Sequence, residues 1–287
     1  MQVQKSFKDT LNTGTLYLVP TPIGNLQDMT PRAISILKSV DLICAEDTRN
    51  TGLLLKQFDI KTKQVSFHEH NAYEKIPFLL DLLKSGQSLA QVSDAGMPSI
   101  SDPGHDLVKA AIRDGISVVS IPGASAGITA LIASGIVPQP HIFYGFLPRK
   151  QGQQKEFFTS KVHYPETQIF YESPYRISDT LSLMQSVYGD RQVVLVRELT
   201  KFFEEYLRGK ISEILEYLYE NQIKGECLII VEGYQDIEEN SLSLDDAIDL
   251  VHNLVANQIK PNQAIKEVAK KYHFNRQKLY TAYHEKK

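Results

Sequence analysis

The chain predicts an α/β protein of two domains, with a mostly parallel N-terminal sheet, a mixed second sheet and a small C-terminal helical domain of helix-turn-helix type. Three observations predict it. Strand-sized apolar runs alternate with helical patterns up to Ile121, strand-like runs then crowd together as far as Glu232, and only helical patterns follow Ser243. Regular alternation argues for βαβ units and a parallel sheet, whereas closely spaced strands argue for antiparallel neighbours. At 287 residues the chain can bury a full core in each of two domains. The expected partition is 1–121, 122–233, a linker at 234–243 and helices over 244–287.

The first region reads as strand 15–19, helix 31–40, strand 41–45, helix 51–58, strand 64–67, helix 73–84 and strand 88–92. Thr30 before Pro31 is an N-cap followed by the one helical position that tolerates proline, and Gly86 ends the third helix. After Val92 comes Ser93-Asp94-Ala95-Gly96-Met97-Pro98-Ser99-Ile100-Ser101-Asp102-Pro103-Gly104, a loop dense in small residues and carboxylates at the carboxyl end of a strand. Open α/β sheets bind their ligands there. Asp102 and Pro103 read as N-cap and first residue of a helix over 105–114.

The same device recurs. Strand 116–121 runs into Pro122-Gly123-Ala124-Ser125-Ala126-Gly127 and an apolar helix over 128–134. Consecutive strands usually pair, so the two turns are expected at neighbouring strand ends. Neither turn carries G-x-G-x-x-G or G-x-x-x-x-G-K-[ST], so the ligand need not bring a phosphate.

Beyond this point strands are expected at 142–146, 168–171, 192–198, 202–207 and 226–232, with helices at 153–161, 175–187 and 211–221. The runs 191–199 and 202–209 are close enough to form a hairpin. The stretch 234–241 is polar, acidic and aperiodic, and reads as a linker. Helices at 244–256, 261–272 and 276–284 follow, capped by Ser243 and Asn275; a tight turn between the last two and a basic final helix describe a helix-turn-helix.

Composition excludes several classes. The chain is 42% hydrophobic and 23% charged, which argues against disorder, and its longest apolar runs are far short of a membrane span. No signal-peptide core is apparent near Met1, and a cytoplasmic protein is expected. Two cysteines, Cys44 and Cys227, fall inside predicted strands and support neither a disulfide framework nor a zinc site. His68-Glu69-His70 would place two imidazoles on one face of a strand without a third ligand, so no metal is expected. Net charge is −3, but residues 259–287 carry +6 and the remainder −9, an asymmetry that goes with nucleic-acid contact.

Several phrases stand together in order: Leu18-Val19-Pro20-Thr21-Pro22-Ile23-Gly24-Asn25-Leu26, Ala45-Glu46-Asp47-Thr48-Arg49, Ser66-Phe67-His68-Glu69-His70-Asn71, the loop from Asp94 to Gly104, Ile121-Pro122-Gly123-Ala124-Ser125-Ala126, Gly145-Phe146-Leu147-Pro148-Arg149-Lys150, Tyr171-Glu172-Ser173-Pro174-Tyr175-Arg176 and Gly225-Glu226-Cys227. As a set they resemble the RsmI family of ribosomal small-subunit RNA 2′-O-methyltransferases, tetrapyrrole-methylase-like enzymes that use S-adenosylmethionine. The resemblance runs from about Gly14 to Gly233, and the helical tail is similar to that family's C-terminal domain. It implies a tetrapyrrole-methylase-like fold with the cofactor between two α/β domains and a homodimer. The implied reaction is methyl transfer to the ribose of a cytidine in the decoding region of 16S rRNA, within the small ribosomal subunit.

Matching positions imply that Asp94, Ala95, Gly96, Met97, Ser125 and Ala126 line the cofactor and that Pro20 and Tyr171 complete its walls. Alignment of the 2′-oxygen behind the sulfonium is worth roughly 7–11 kcal/mol, more than one proton-transfer group contributes. Candidates for a base are Asp47, Glu46, His68, Glu172 and Lys150. Each also has a structural reading: Glu46 and Asp47 as helix caps, His68 as a satisfied buried histidine, Glu172 as a structural residue. Arg49, Arg149 and Arg176, with Arg276 and Lys278 on the tail, suit RNA phosphates. Two rivals stand beside this reading: the same fold acting on a tetrapyrrole or protein acceptor, and a helix-turn-helix regulator that senses a small molecule.

Overall fold

The computed structural model describes residues 1, 3–5, 13–100, 104–235, 243–257, 259–272 and 274–285. It divides into two compact units, Met1–Tyr234 and Gln235–Lys287. The larger unit holds two five-stranded sheets. In the first, β1 (Thr15–Leu18), β2 (Leu42–Ala45), β3 (Gln64–Ser66), β4 (Leu89–Val92) and β5 (Ser117–Ser120) lie in the order β3-β2-β4-β1-β5. Every pair is parallel. Helices α1 (Pro31–Ser39), α2 (Thr48–Gln57), α3 (Ala72–Lys84) and α4 (Gly104–Arg113) connect the strands. Leu37 and Ile43 belong to one apolar cluster, Leu79, Leu89 and Leu107 to another, and all five are fully buried. Each such side chain is worth about 1.5–3 kcal/mol of burial.

This order corrects one expectation. The strands β4 and β5 are not neighbours, because α4 carries the chain across β1, which pairs with both. The reversal of strand order beside β1 is the kind of switch point where loops splay apart and leave a crevice. The loops after β1, β4 and β5 therefore converge on one place, with the β1 loop in the middle.

Local chemistry explains the helix starts. Thr30 accepts from the Ala33 N–H at 3.1 Å, and Asp47 caps α2 by accepting from the Arg49 N–H at 2.8 Å. With this cap α2 begins at Thr48, earlier than the apolar pattern indicates. The His68-Glu69-His70 segment is not in a strand. It forms the turn into α3, where the His68 carbonyl accepts from the Asn71 and Ala72 N–H groups and Asn71 Oδ1 accepts from the His68 N–H. The expected caps Asp102 and Pro103 lie outside the described residues, and α4 is described from Gly104.

In the second sheet β6 (His141–Phe146), β7 (Thr167–Glu172), β8 (Gln192–Arg197), β9 (Glu205–Lys210) and β10 (Cys227–Val231) lie in the order β6-β7-β10-β8-β9. Only β6 and β7 are parallel. The hairpin β8–β9 exists, but β9 begins at Glu205; Phe202 stands 93% exposed in the connection. Helix α5 (Ala126–Ser134) packs Ala130 and Leu131 on one face of this sheet, against Ile169, Val194 and Ile230. Helices α6 (Gln151–Lys161), α7 (Ile177–Tyr188) and α8 (Ile211–Glu220) supply Phe158, Leu181, Met184 and Ile211 to a second cluster with Phe170 and Ile229.

The smaller unit comprises α9 (Leu244–Ala256), α10 (Pro261–Lys271) and α11 (Arg276–Glu285) around Ile248, Val251, Ile265, Leu279 and Tyr283. Ser243 and Asp246 form a reciprocal capping box on α9, and Asn275 accepts from the Gln277 and Lys278 N–H groups at the start of α11.

Candidate active site

A cavity of about 600 Å³ lies between the two sheets. The first half contributes Ser93, Ala95, Gly96, Met97 and Ile100 after β4, Ser125, Ala126, Gly127 and Ile128 around the start of α5, and Ile23 and Glu46 from the loops after β1 and β2. Gly96 adopts φ +77°, and a Cβ there would sit 3.3 Å from Ile23 Cγ2 and 3.5 Å from the Ala124 carbonyl oxygen. Its N–H and carbonyl pair with Thr21 in a two-bond bridge, while Thr21 Oγ1 donates to the Ser93 carbonyl at 3.1 Å. The loop after β4 is thereby pinned to the loop after β1, and only glycine suits the bend. At α5 the Ser125 side chain makes no cap bond, so the first turn keeps N–H groups for a ligand.

The second sheet contributes an aromatic and apolar wall. Phe143 and Phe146 meet Tyr171 edge-on at 5.0 and 5.3 Å between ring centroids. Val196, Cys227 and Leu228 continue it. The Tyr171 hydroxyl meets the Gly127 backbone, and burial raises its pKa. Burial likewise pushes the Cys227 thiol up to about 11 and the Cys44 thiol up to about 12, which keeps both protonated and inert. Two carboxylates, Glu46 and Glu226, reach the cavity. Glu226 Oε2 also accepts from Lys201 Nζ at 3.1 Å, and Lys201 bonds Glu198 at 2.9 Å, tying the β8–β9 connection to the rim.

The structure brings Glu46, Ala95, Gly96, Met97, Ser125, Ala126 and Tyr171 to the cavity and leaves the other expected residues around it. Pro20 is buried behind the wall, close enough to Gly123 that a Cβ there would lie 2.4 Å from Pro20 Cγ. The Asp94 carboxylate faces away, accepting from the Asp47 N–H at 3.2 Å and Asn50 Nδ2 at 2.9 Å. Asp47 is bound to Arg49 at 2.6 Å, and that guanidinium holds its carboxyl near 2, which makes it a weak proton acceptor. The Glu172 carboxylate is buried and taken up by the Ser173 N–H and Thr180 Oγ1, with Arg176 3.5 Å away. Arg176 also donates to the Pro148 carbonyl at 2.7 Å, so its charge serves an internal tie. His68 packs against Asn71 in the turn before α3, 3.1 Å from its side-chain amide. Arg149 and Lys150 are exposed just before α6, and Arg276 and Lys278 are exposed on α11.

Sequence reasoning missed Ile23, Phe143, Phe146, Val196, Leu199, Glu226 and Leu228. Their strand pattern reads as ordinary core, and nothing local marks a core face left open. Among the described residues no three His, Cys, Asp or Glu side chains converge as metal ligands, and no helix is long and apolar enough to cross a membrane.

Two α/β halves with a small-molecule cavity between them, floored by strand-end loops, are the architecture of the methyltransferases that bind S-adenosylmethionine between two such domains. The chain belongs to the tetrapyrrole (corrin/porphyrin) methylases, whose family model matches residues 15–215. It is 73% identical over 286 residues to ribosomal RNA small subunit methyltransferase I of Streptococcus pyogenes serotype M3, covering 99% of this chain and 100% of that protein. The same-named protein of Bacillus subtilis is 47% identical, with 98% of each chain covered. Among solved structures, the fold is shared with diphthine synthase, at a TM-score of 0.59 and 13% identity over 77% of this chain and 90% of that one. It is also shared with uroporphyrin-III C-methyltransferase from Thermus thermophilus complexed with S-adenosyl homocysteine, at 0.53 and 17% over 76% and 97%. The protein is thus a methyltransferase with S-adenosylmethionine as its cofactor.

The cavity fits that cofactor chemically. Backbone N–H groups at the start of α5 and the hydroxyl of Ser125 suit its carboxylate and ribose, the Phe143–Tyr171 wall suits adenine, and Glu46 and Glu226 suit its cationic groups.

Proposed function

We propose that this protein transfers the methyl group of S-adenosylmethionine to the ribose 2′-oxygen of a cytidine in the decoding region of 16S rRNA, acting on the small ribosomal subunit as a cytoplasmic homodimer. The observation that carries the choice of an RNA acceptor is full-length identity of 73% to a protein named for methylation of small-subunit ribosomal RNA. Exposed Arg49 in the first turn of α2 and exposed Arg149 and Lys150 just before α6 supply cations where a polyanion would pass. In α11 the exposed Arg276 and Lys278 offer further phosphate contacts.

When bound, the cofactor supplies an electrophilic methyl on a sulfonium. The chain's task is to hold that group, exclude water and present the acceptor oxygen in line. The bridge between Thr21 and Gly96 fixes the floor, while Phe143, Phe146 and Tyr171 remove water from the opposite side. Among the five base candidates Glu46 alone reaches the cavity. We assign it the 2′-hydroxyl proton for its place in the lining; its Oε2 accepts from the Asp94 N–H at 3.3 Å, which orients the carboxylate, and Asp47, Glu172, His68 and Lys150 lie outside that lining.

The test uses purified protein, labelled S-adenosylmethionine and small subunits from a strain lacking this activity. The expected product is one alkali-resistant, 2′-O-methylated cytidine found by mass spectrometry of the 16S fragment. A base-methylated product, or none with cofactor-competent protein at any assembly stage, overturns the reading.

A further inference from the structure

A second groove, of about 670 Å³, adjoins the cavity, and Ser93 borders both. The two meet at the loop after β4: Glu46, which lines the cavity, accepts from the backbone N–H of Asp94, which lines the groove, at 3.3 Å. We infer that this groove receives the target nucleoside turned out of its RNA strand, with Asn50 and Gln57 facing the base edge and Leu53 and Leu26 against its faces. The inference rests on the RNA-methylating reading above and names where the acceptor sits.

The sequence of α2 carries the first argument. Asn50, Leu53, Leu54 and Gln57 recur at the spacing of one helix face and line the groove, flanked by Thr51 and Lys56, while Leu55 turns into the core. Leu53 on α2 is 72% exposed and Leu26, after β1, 45%, and both line the groove. Exposed apolar side chains in an open groove match a flat, weakly hydrated ring better than solvent.

Polar geometry carries the second. A carboxylate only accepts, so the bond from Asn50 Nδ2 to Asp94 Oδ2 fixes which way the amide points. Asp94 is itself held by the Asp47 N–H. The Asn50 amide thus offers a set donor–acceptor pair rather than a freely turning one, the device that reads a base edge. Lys56 on the same helix lines the groove too, suited to a neighbouring phosphate. Asp94 is therefore a positioning residue for the acceptor side.

Leu53→Glu and Asn50→Ala test this on the full chain. Leu53 is exposed, so the first variant should fold, which thermal melting checks. Expected is a fall of roughly tenfold to a hundredfold in kcat/KM on small subunits lacking the modification, with cofactor affinity by calorimetry within about twofold of wild type. Subunit methylation within twofold of wild type in both variants overturns the groove assignment, as does equal loss of cofactor binding. Failure of the wild-type protein to methylate subunits is a separate result, which overturns the RNA reading itself.

Discussion

The two walls of the cavity between the sheets are held in different ways. On the parallel-sheet side the Thr21–Gly96 bridge and the α5 start fix the course of the main chain, with Gly96, Ala95 and Ala126 beside the larger Ile23, Met97 and Ile100. The mixed sheet presents side chains, Phe143, Phe146, Tyr171, Val196 and Leu228, projecting from strands. At Gly96 the positive φ makes any added Cβ strained, whereas a side-chain wall can be trimmed and partly refilled. The difference teaches that the first wall should behave as all-or-none under substitution and the second as graded.

Gly96→Val should produce the largest effect, because it combines a positive φ with contacts of 3.3 and 3.5 Å for the added Cβ alone. Cofactor binding by calorimetry is expected to disappear while circular dichroism stays unchanged; retained affinity would end the distinction between the walls. Tyr171→Ala should weaken cofactor binding by about tenfold through lost aromatic contact, and Tyr171→Phe by far less. An all-or-none loss in Tyr171→Phe would show that this wall, too, works by a single fixed contact.

Outside the walls, Glu172→Ala should cost about 1–3 kcal/mol of stability, since Thr180 and Arg176 lose a buried partner, and leave kcat of the surviving enzyme near wild type. A collapse of kcat without loss of stability would return Glu172 to the chemistry. The smallest effect concerns pH. Asp47 is depressed from 3.8 to about 2, so its contribution to α2 is complete above about pH 4 and is lost as the pH falls toward 2. Asp47→Asn should flatten that acid limb of the melting temperature and change little at neutral pH, where the asparagine still caps.

Much of the first wall was legible because its requirements are written as residue types. Loops crowded with Gly, Ala and Ser after apolar runs announce close approach, which marks the two turns, while the family resemblance singles out Gly96, Ser125 and Ala126 within them. Phe143 and Val196 are not marked in this way, because in a strand the same residues fill a core or face an open slot. Glu226 sits in a phrase already singled out, yet its role depended on the β8–β9 connection folding back through Lys201. The pairing of β4 with β5 failed for a related reason: chain order suggests adjacency, and only the crossover of α4 shows that β1 intervenes.

By itself the sequence determined the element types, the helix caps at Thr30, Ser243 and Asn275, the small-residue turns and the membership of a motif set, since each depends on a few neighbouring residues. Only the tertiary structure completed the surroundings of each carboxylate. Asp47 is held locally by Arg49, and Glu172 partly by the next residue's N–H, but Thr180 reaches Glu172 from α7, Asn50 reaches Asp94 from α2, and the Asp94 N–H reaches Glu46 at the cavity. A carboxylate's chemistry depends on the donors that surround it, and donors brought in from other elements are not written beside it in the chain.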